Sequence, residues 1–235
     1  MSGAVDRGRD PSVLDRSWLA RPVLEVAPDL LGALVSTASP DGPVTVRLTE
    51  VEAYDGETDP GSHAFRGRTA RNAVMFGPAG HLYVYRHLGL HHCANVVTGV
   101  DAAAAVLLRA AEVVEGADLA RARRRTAGVL RADVDLARGP GRLAVALGLD
   151  LADYGADVLD PGGRVRLLLG ATGPVLEEGA ALVGQGARVG VAGQGGDAGR
   201  HPWRFWLPGD PTVSAYRPGT TRPPAAPGRA RGTAD

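Results

Sequence analysis

The segment Glu50-Val51-Glu52-Ala53-Tyr54 places two carboxylates at i and i+2 at the end of an alternating apolar run. In an extended strand such residues project from one face, roughly 7 Å apart. That spacing suits an acid/base pair of the kind that hydrolyses glycosidic bonds, and equally one base beside a structural carboxylate or two exposed strand-end acids. His63, in Gly61-Ser62-His63-Ala64, taken alone is an ordinary loop histidine. His91, His92 and Cys93 are metal-ligand types. Adjacent strand residues face opposite ways, however, and no ligand set completes a tetrahedron, so no metal is expected. The deaminase pattern fails as well, because His-x-Glu and a second cysteine are both missing. With Cys93 alone, an intramolecular disulfide is excluded and a reducing compartment fits.

None of the 235 residues is lysine, so all 26 basic side chains are arginine. Lysine Schiff bases, Walker-type phosphate binding and a catalytic ammonium therefore drop out, with the N-terminal amine as the one substitute. The 26 acids cancel the arginines overall, but the distribution is uneven. Between Ser62 and Arg142 there are twelve arginines against six acids, and no acid at all occurs from Ser62 to Val100, where Tyr83, Tyr85 and, between 81 and 92, four histidines fall. Such a stretch suits a nucleic-acid-binding face or, more blandly, a solvated arginine surface. Isoleucine is also absent, which we attribute to compositional bias rather than function.

The elements that must position these residues follow from periodicity. A short helix is expected from Ser17 and a second one opened by Pro28 at Asp29. Residues 44–54 alternate, with Val44, Val46 and Leu48 sharing one face with Glu50, Glu52 and Tyr54. Further strands are expected at 81–85, 92–98 and 104–114 and, later, at 165–170, 181–192 and 202–209. Helices are expected at 115–130 and 142–149. Many strands with few helices argue for an α+β fold, a single compact domain with a curved, mainly antiparallel sheet at its core and peripheral helices. It should span 17–216, between disordered tails at 1–16 and 217–235. The first twenty residues carry charges where a signal peptide needs an apolar run, and no stretch reaches about 18 apolar residues. A soluble, cytoplasmic protein is expected.

Several motifs then coincide in order. They are Thr49–Tyr54, Ser62-His63, Arg71-Asn72, Met75-Phe76, Leu82–Tyr85, Cys93–Val96, Val106–Ala110, Gly139-Pro140 with Leu143, and Arg188–Val191 followed by Pro202–Phe205. From about Leu19 to Ser214 the chain resembles the alkyladenine (3-methyladenine) DNA glycosylase family. The resemblance implies hydrolysis of the bond between deoxyribose and a damaged purine flipped out of double-stranded DNA, leaving an abasic site, by a monomer without a cofactor. It casts Glu52 as the general base for the attacking water, and Tyr54, His63 and Tyr85 as the walls that hold the base. Asn95 would obstruct the 2-amino group of guanine. Arg71, Arg109 and Arg142 would contact phosphate or the rim of the pocket. Leu88 stands where the family commonly inserts a tyrosine into the duplex, so an apolar wedge without aromatic stacking is expected. Glu50 has no role to carry over and is read as strand structure. Cationic lesions of the 3-methyladenine type leave readily, whereas hypoxanthine or ethenoadenine would need a proton from a donor that the motifs do not identify. Two rival readings stand beside this one: a non-catalytic binder of damaged or bent DNA, and a nucleoside or carbohydrate hydrolase using Glu50 with Glu52.

Overall fold

The computed structural model describes residues 14–169 and 183–220. The expected tails before 14 and beyond 220, and expected strand residues 170 and 181–182, lie outside the described residues.

Two short helices come first, α1 (Arg16–Leu19), whose N-cap Asp15 accepts the Trp18 amide at 2.9 Å, and α2 (Val23–Asp29). Leu14 is already buried, so packing begins slightly before the expected residue 17. Pro28 lies inside α2 instead of opening a second helix. Only one helical hydrogen bond is lost to a proline in the last turn, and burial of Val23, Val26 and Ala27 outweighs it.

The chain then enters the sheet with β1 (Leu34–Thr37), too short to show a period, and β2 (Val44–Tyr54). A loop carrying His63 and Arg71 leads to the hairpin β3 (Leu82–His87) and β4 (His91–Thr98), followed by β5 (Ala104–Glu115) and α3 (Ala117–Thr126). The two-residue β6 (Ala137–Arg138) precedes α4 (Pro140–Leu147), which has proline in its first turn and left-handed Gly148 at its end. The last strands are β7 (Val165–Leu168), β8 (Gly184–Gly186) and β9 (Arg204–Trp206), the latter two shorter than expected.

All pairings are antiparallel, in the order β3-β4-β5-β2-β1-β7. β2 is the spine: β5 runs along one side, while the other is shared by β1 at residues 44–47 and β9 at residues 50–52. One sheet face packs on the helices in the main core, with Leu82, Val84, Ala94, Val96, Val106 and Leu108. The opposite face of β3–β5 carries a smaller cluster around Tyr83, Met75, Val97 and Ala105.

The expected unbroken alternation along β2 fails. Val44, Val46 and Leu48 share the core with Val51 and Ala53, not a face with Glu52 and Tyr54. Between Leu48 and Val51 the register with β5 slips twice, so that Thr49 is extra on β2 and Arg109 is extra on β5. An extra residue in a strand turns every later side chain to the other face.

Candidate active site

This double irregularity builds the site. Across the sheet, Tyr83 pairs with Asn95, Asn95 with Leu107, and Leu107 with Glu52. Laterally paired residues share a face, so four strands deliver one row of side chains to the floor of a cavity of about 290 Å³. Tyr54, His63, Tyr85, Met75 and Arg109 complete its walls with the loop Val189–Val191. Tyr83 and Tyr85 stack at 5.4 Å, and the His63 ring stands edge-on to Tyr85 at 4.5 Å. The floor and walls are aromatic, with one carboxylate among them.

Glu52 is buried and its charge is held by defined donors. Its Oε1 accepts the Val189 amide at 2.7 Å and lies 3.5 Å from Arg109 Nε, while Oε2 accepts the Tyr54 hydroxyl at 2.9 Å. Burial nevertheless dominates and pushes the Glu52 carboxyl upward from the ordinary range, against the pull of Arg109, Val189 and Tyr54. Burial also pushes the Tyr54 phenol well up, so it keeps the proton that it donates. His63 Nδ1 lies 2.9 Å from the Tyr83 hydroxyl. Partial desolvation of its ring against Tyr83 and Tyr85, together with Arg71 and His87, lowers His63 to about 4 and leaves it neutral at pH 7, although the residue keeps exposed surface.

Glu50 is committed elsewhere. It takes Arg109 Nε at 2.9 Å, Arg204 Nε at 2.6 Å, and the amide and hydroxyl of Ser214 at 2.8 and 3.0 Å. Three donors converge on Oε1 and one on Oε2, so both oxygens are engaged in holding strands together.

The sequence-predicted residues fall into three groups. Glu52, Tyr54, His63, Tyr85, Asn95 and Arg109 converge on the cavity. Asn95 spends its amide on the Tyr83 carbonyl at 2.9 Å, which fixes its oxygen's direction. Arg109, expected at phosphate or the rim, is buried between the two carboxylates. Arg71 and Arg142 lie outside, exposed, Arg71 at 5.5 Å over the Tyr85 ring and Arg142 on Asp135 at 2.9 Å. Leu88 is 81% exposed at the tip of the β3–β4 hairpin, away from the cavity.

Four contributors were not assigned from sequence. Tyr83 is in the row because its register matches Asn95. Asn72 donates to the carbonyls of His63 and Gly67 and accepts from Thr69, which locks the loop that carries His63 and Arg71. Asp59 and Arg188, both without exposed surface, form a two-point ion pair at 2.5 and 2.7 Å. Arg188 also donates to the carbonyls of Ala53 and Gly195 and lies 4.5 Å under the Tyr54 ring, so this pair fixes the backbone whose next residue, Val189, anchors Glu52. The Arg188–Val191 stretch was visible as a motif; its partner is 129 residues away, beyond the reach of local pattern.

Among the described residues no three His, Cys, Asp or Glu side chains converge to hold a metal ion, and no helix is long and apolar enough to cross a membrane.

The sequence profile of methylpurine-DNA glycosylases matches residues 17–211. A Streptomyces avermitilis protein is 55% identical over 91% of this chain and 96% of its own length. Proteins from Leifsonia xyli and Mycobacterium tuberculosis are 53% and 45% identical, over 83% and 88% of this chain and 88% and 92% of theirs. All three are provisionally named 3-methyladenine DNA glycosylases. An aromatic cavity with a single anchored carboxylate and a match along nearly all of the folded chain lead to one statement: this chain belongs to the methylpurine-DNA glycosylase family.

Proposed function

We propose that the protein is a monofunctional DNA glycosylase of base excision repair that takes an alkylated purine, of the 3-methyladenine type, out of the duplex and hydrolyses its N-glycosidic bond. The observation that carries this reading is Glu52: a buried carboxylate, held at both oxygens, at the floor of an aromatic cavity sized for one small ligand.

In this reading Glu52 orients a water and takes its proton as the bond to the base breaks. The sugar then develops oxocarbenium character, which the nearby negative charge stabilises. A raised carboxyl makes the stronger base. Tyr54, His63 and Tyr85 hold the purine between aromatic surfaces; such stacking contributes about 1 to 3 kcal/mol per base and strengthens for electron-poor, cationic rings. Neutral His63 adds no positive charge to repel such a ring. Asn95, held by its bond to Tyr83, obstructs by its bulk the space that the guanine amino group would need. Leu88 fills the space that the base vacates, while Arg71 and Arg142 touch the backbone. Arg109, between Glu50 and Glu52, positions the base carboxylate rather than a phosphate.

One panel tests the reading: duplexes with a single 3-methyladenine-type lesion, hypoxanthine, ethenoadenine or an undamaged purine, with abasic sites revealed by alkali. The expected result is release of the cationic purine by the wild type and none by Glu52→Gln. Binding without release from any duplex would leave the non-catalytic binder as the answer.

A further inference from the structure

Beside the purine cavity lies a larger one of about 720 Å³, and the two share His87, Cys93, Arg109, Pro140 and Val189 in their walls. Its lining is strongly basic. Arg124, Arg138, Arg142 and Arg217 join Arg109 there, against a single carboxylate, Asp135. That carboxylate is already engaged by Arg142 at 2.9 Å and faces Arg138 at 4.0 Å. Arg138 Nε is spent on the Val213 carbonyl at 3.0 Å, and Arg109 on Glu50 and Glu52.

Arg124 is different. It projects from the inward face of α3, one turn after buried Ala120, and is only 5% exposed. Its Nε is buried without a hydrogen-bond partner, and among the described residues no carboxylate forms an ion pair with it. A buried guanidinium Nε without an acceptor is unfavourable, and an anion that reaches it would relieve that cost. Burial and the neighbouring Arg142 lower its pKa, against the pull of Asp135.

We infer that Arg124 anchors a binding site for a backbone phosphate of the damaged DNA strand, next to the flipped nucleotide. The inference rests on the glycosylase reading above, because the nucleotide's sugar and phosphates must leave the purine cavity through its open side, and this basic cavity is continuous with it. The guanidinium fork matches two phosphate oxygens in a bidentate geometry. Arg142, at the rim and tied to Asp135, turns toward the same strand. The site adds a charged contact beside the reacting sugar that the open arginine surface does not supply.

The test uses the full chain and a duplex containing a stable tetrahydrofuran abasic analogue. For Arg124→Met, affinity should fall roughly tenfold and the slope of log K against log salt should shrink by about 0.9, one phosphate contact. Single methylphosphonate linkages flanking the analogue, which remove one charge at a time, should weaken the wild type at one position at which the variant is indifferent. Because the substitution removes an unpaired buried charge, the variant should melt no lower than the wild type. A purely structural arginine predicts the reverse: a lower melting temperature, an unchanged salt slope and the same methylphosphonate map. Should Met impair folding, the wild-type protein still answers, through its arginine ¹H–¹⁵Nε spectrum with the Arg124 peak assigned by its loss in Arg124→Lys. That peak should move on adding duplex, and a stationary peak overturns the site. A wild type that binds no duplex at all removes the glycosylase reading and this site with it; a wild type that binds and releases purine while Arg124→Met matches it removes the phosphate site alone.

Discussion

Glu52 illustrates how a carboxylate buried in a cavity opposes stability. Its pKa is raised because burial outweighs the three groups that hold the charge. A raised native value means that the ionised form destabilises the fold as pH climbs above the ordinary glutamate range, and that nothing is lost below it. Glu52→Gln should therefore melt at or above the wild type at pH 7, with the advantage vanishing near pH 4, while base release is lost. The amide oxygen can still accept from Val189, and the Tyr54 hydroxyl can reverse its bond, so no buried group is orphaned. Calorimetry across pH checks the sign, and a variant that melts lower at pH 7 would show that the donors outweigh burial. His63 makes a second prediction at this scale. Its ring should titrate at about 4 by NMR, well below an unperturbed histidine, and a value near 6.5 would remove the argument that it stays neutral beside a cationic purine.

The β3–β4 hairpin shows the same opposition in an element. Its tip closes with the Leu90 amide on the His87 carbonyl at 2.9 Å, and both central residues have positive φ, Leu88 at +49° and Gly89 at +72°. That turn class favours Asn-Gly; leucine there is strained and 81% exposed as well. Leu88→Asn should stabilise the protein by about 1 kcal/mol. It should also reduce base release from duplex several-fold more than from single-stranded substrate, because only the duplex needs a wedge. Equal losses on both substrates would sink the wedge assignment. The loop containing Arg188 depends instead on a buried ion pair. Arg188→Met leaves the buried Asp59 charge with only the Asp55 and Gly61 amides and should cost about 3–5 kcal/mol, while Arg188→Met with Asp59→Leu should recover part of that stability without recovering kcat, since the backbone at Val189 is no longer fixed. Full recovery of turnover in the double variant would show that the pair acts on folding only.

At the scale of the whole molecule, the arginine count needs sorting. Arg121 is tied to Asp118 and Asp133, Arg142 to Asp135 and Arg109 to two glutamates, so much of the positive central segment is neutralised where it stands. Among the described residues Arg66, Arg68, Arg71 and Arg86 form no ion pair and remain exposed around the loop and hairpin that flank the cavity mouth. The lysine-free composition carries the last prediction. With no side-chain amine to attack the sugar, borohydride should trap no covalent complex with lesion-containing DNA, and the product strand should stay intact until alkali is added. A trapped adduct would mean that another amine serves as nucleophile.

The order of residue types by itself determined a good deal: the main strands, expected at 44–54, 81–85, 92–98 and 104–114 and found within a residue or two of those bounds, the helices after them, a carboxylate at a strand end and a chemistry without lysine. Those are local properties, set by alternation with a period of two, by turn residues and by composition. What only the tertiary structure decided is which face Glu52 occupies. Unbroken alternation would have placed it with Val44, Val46 and Leu48 in the core; an extra residue on each of two paired strands turns it into the cavity and brings Arg109 between the carboxylates. It also decided that both oxygens of Glu50 are engaged, that Asp59 meets Arg188 across 129 residues, and that Arg124 is buried with its Nε unpaired. Bulges and long-range ion pairs come from strand pairing and packing, to which a window of neighbouring residues is blind.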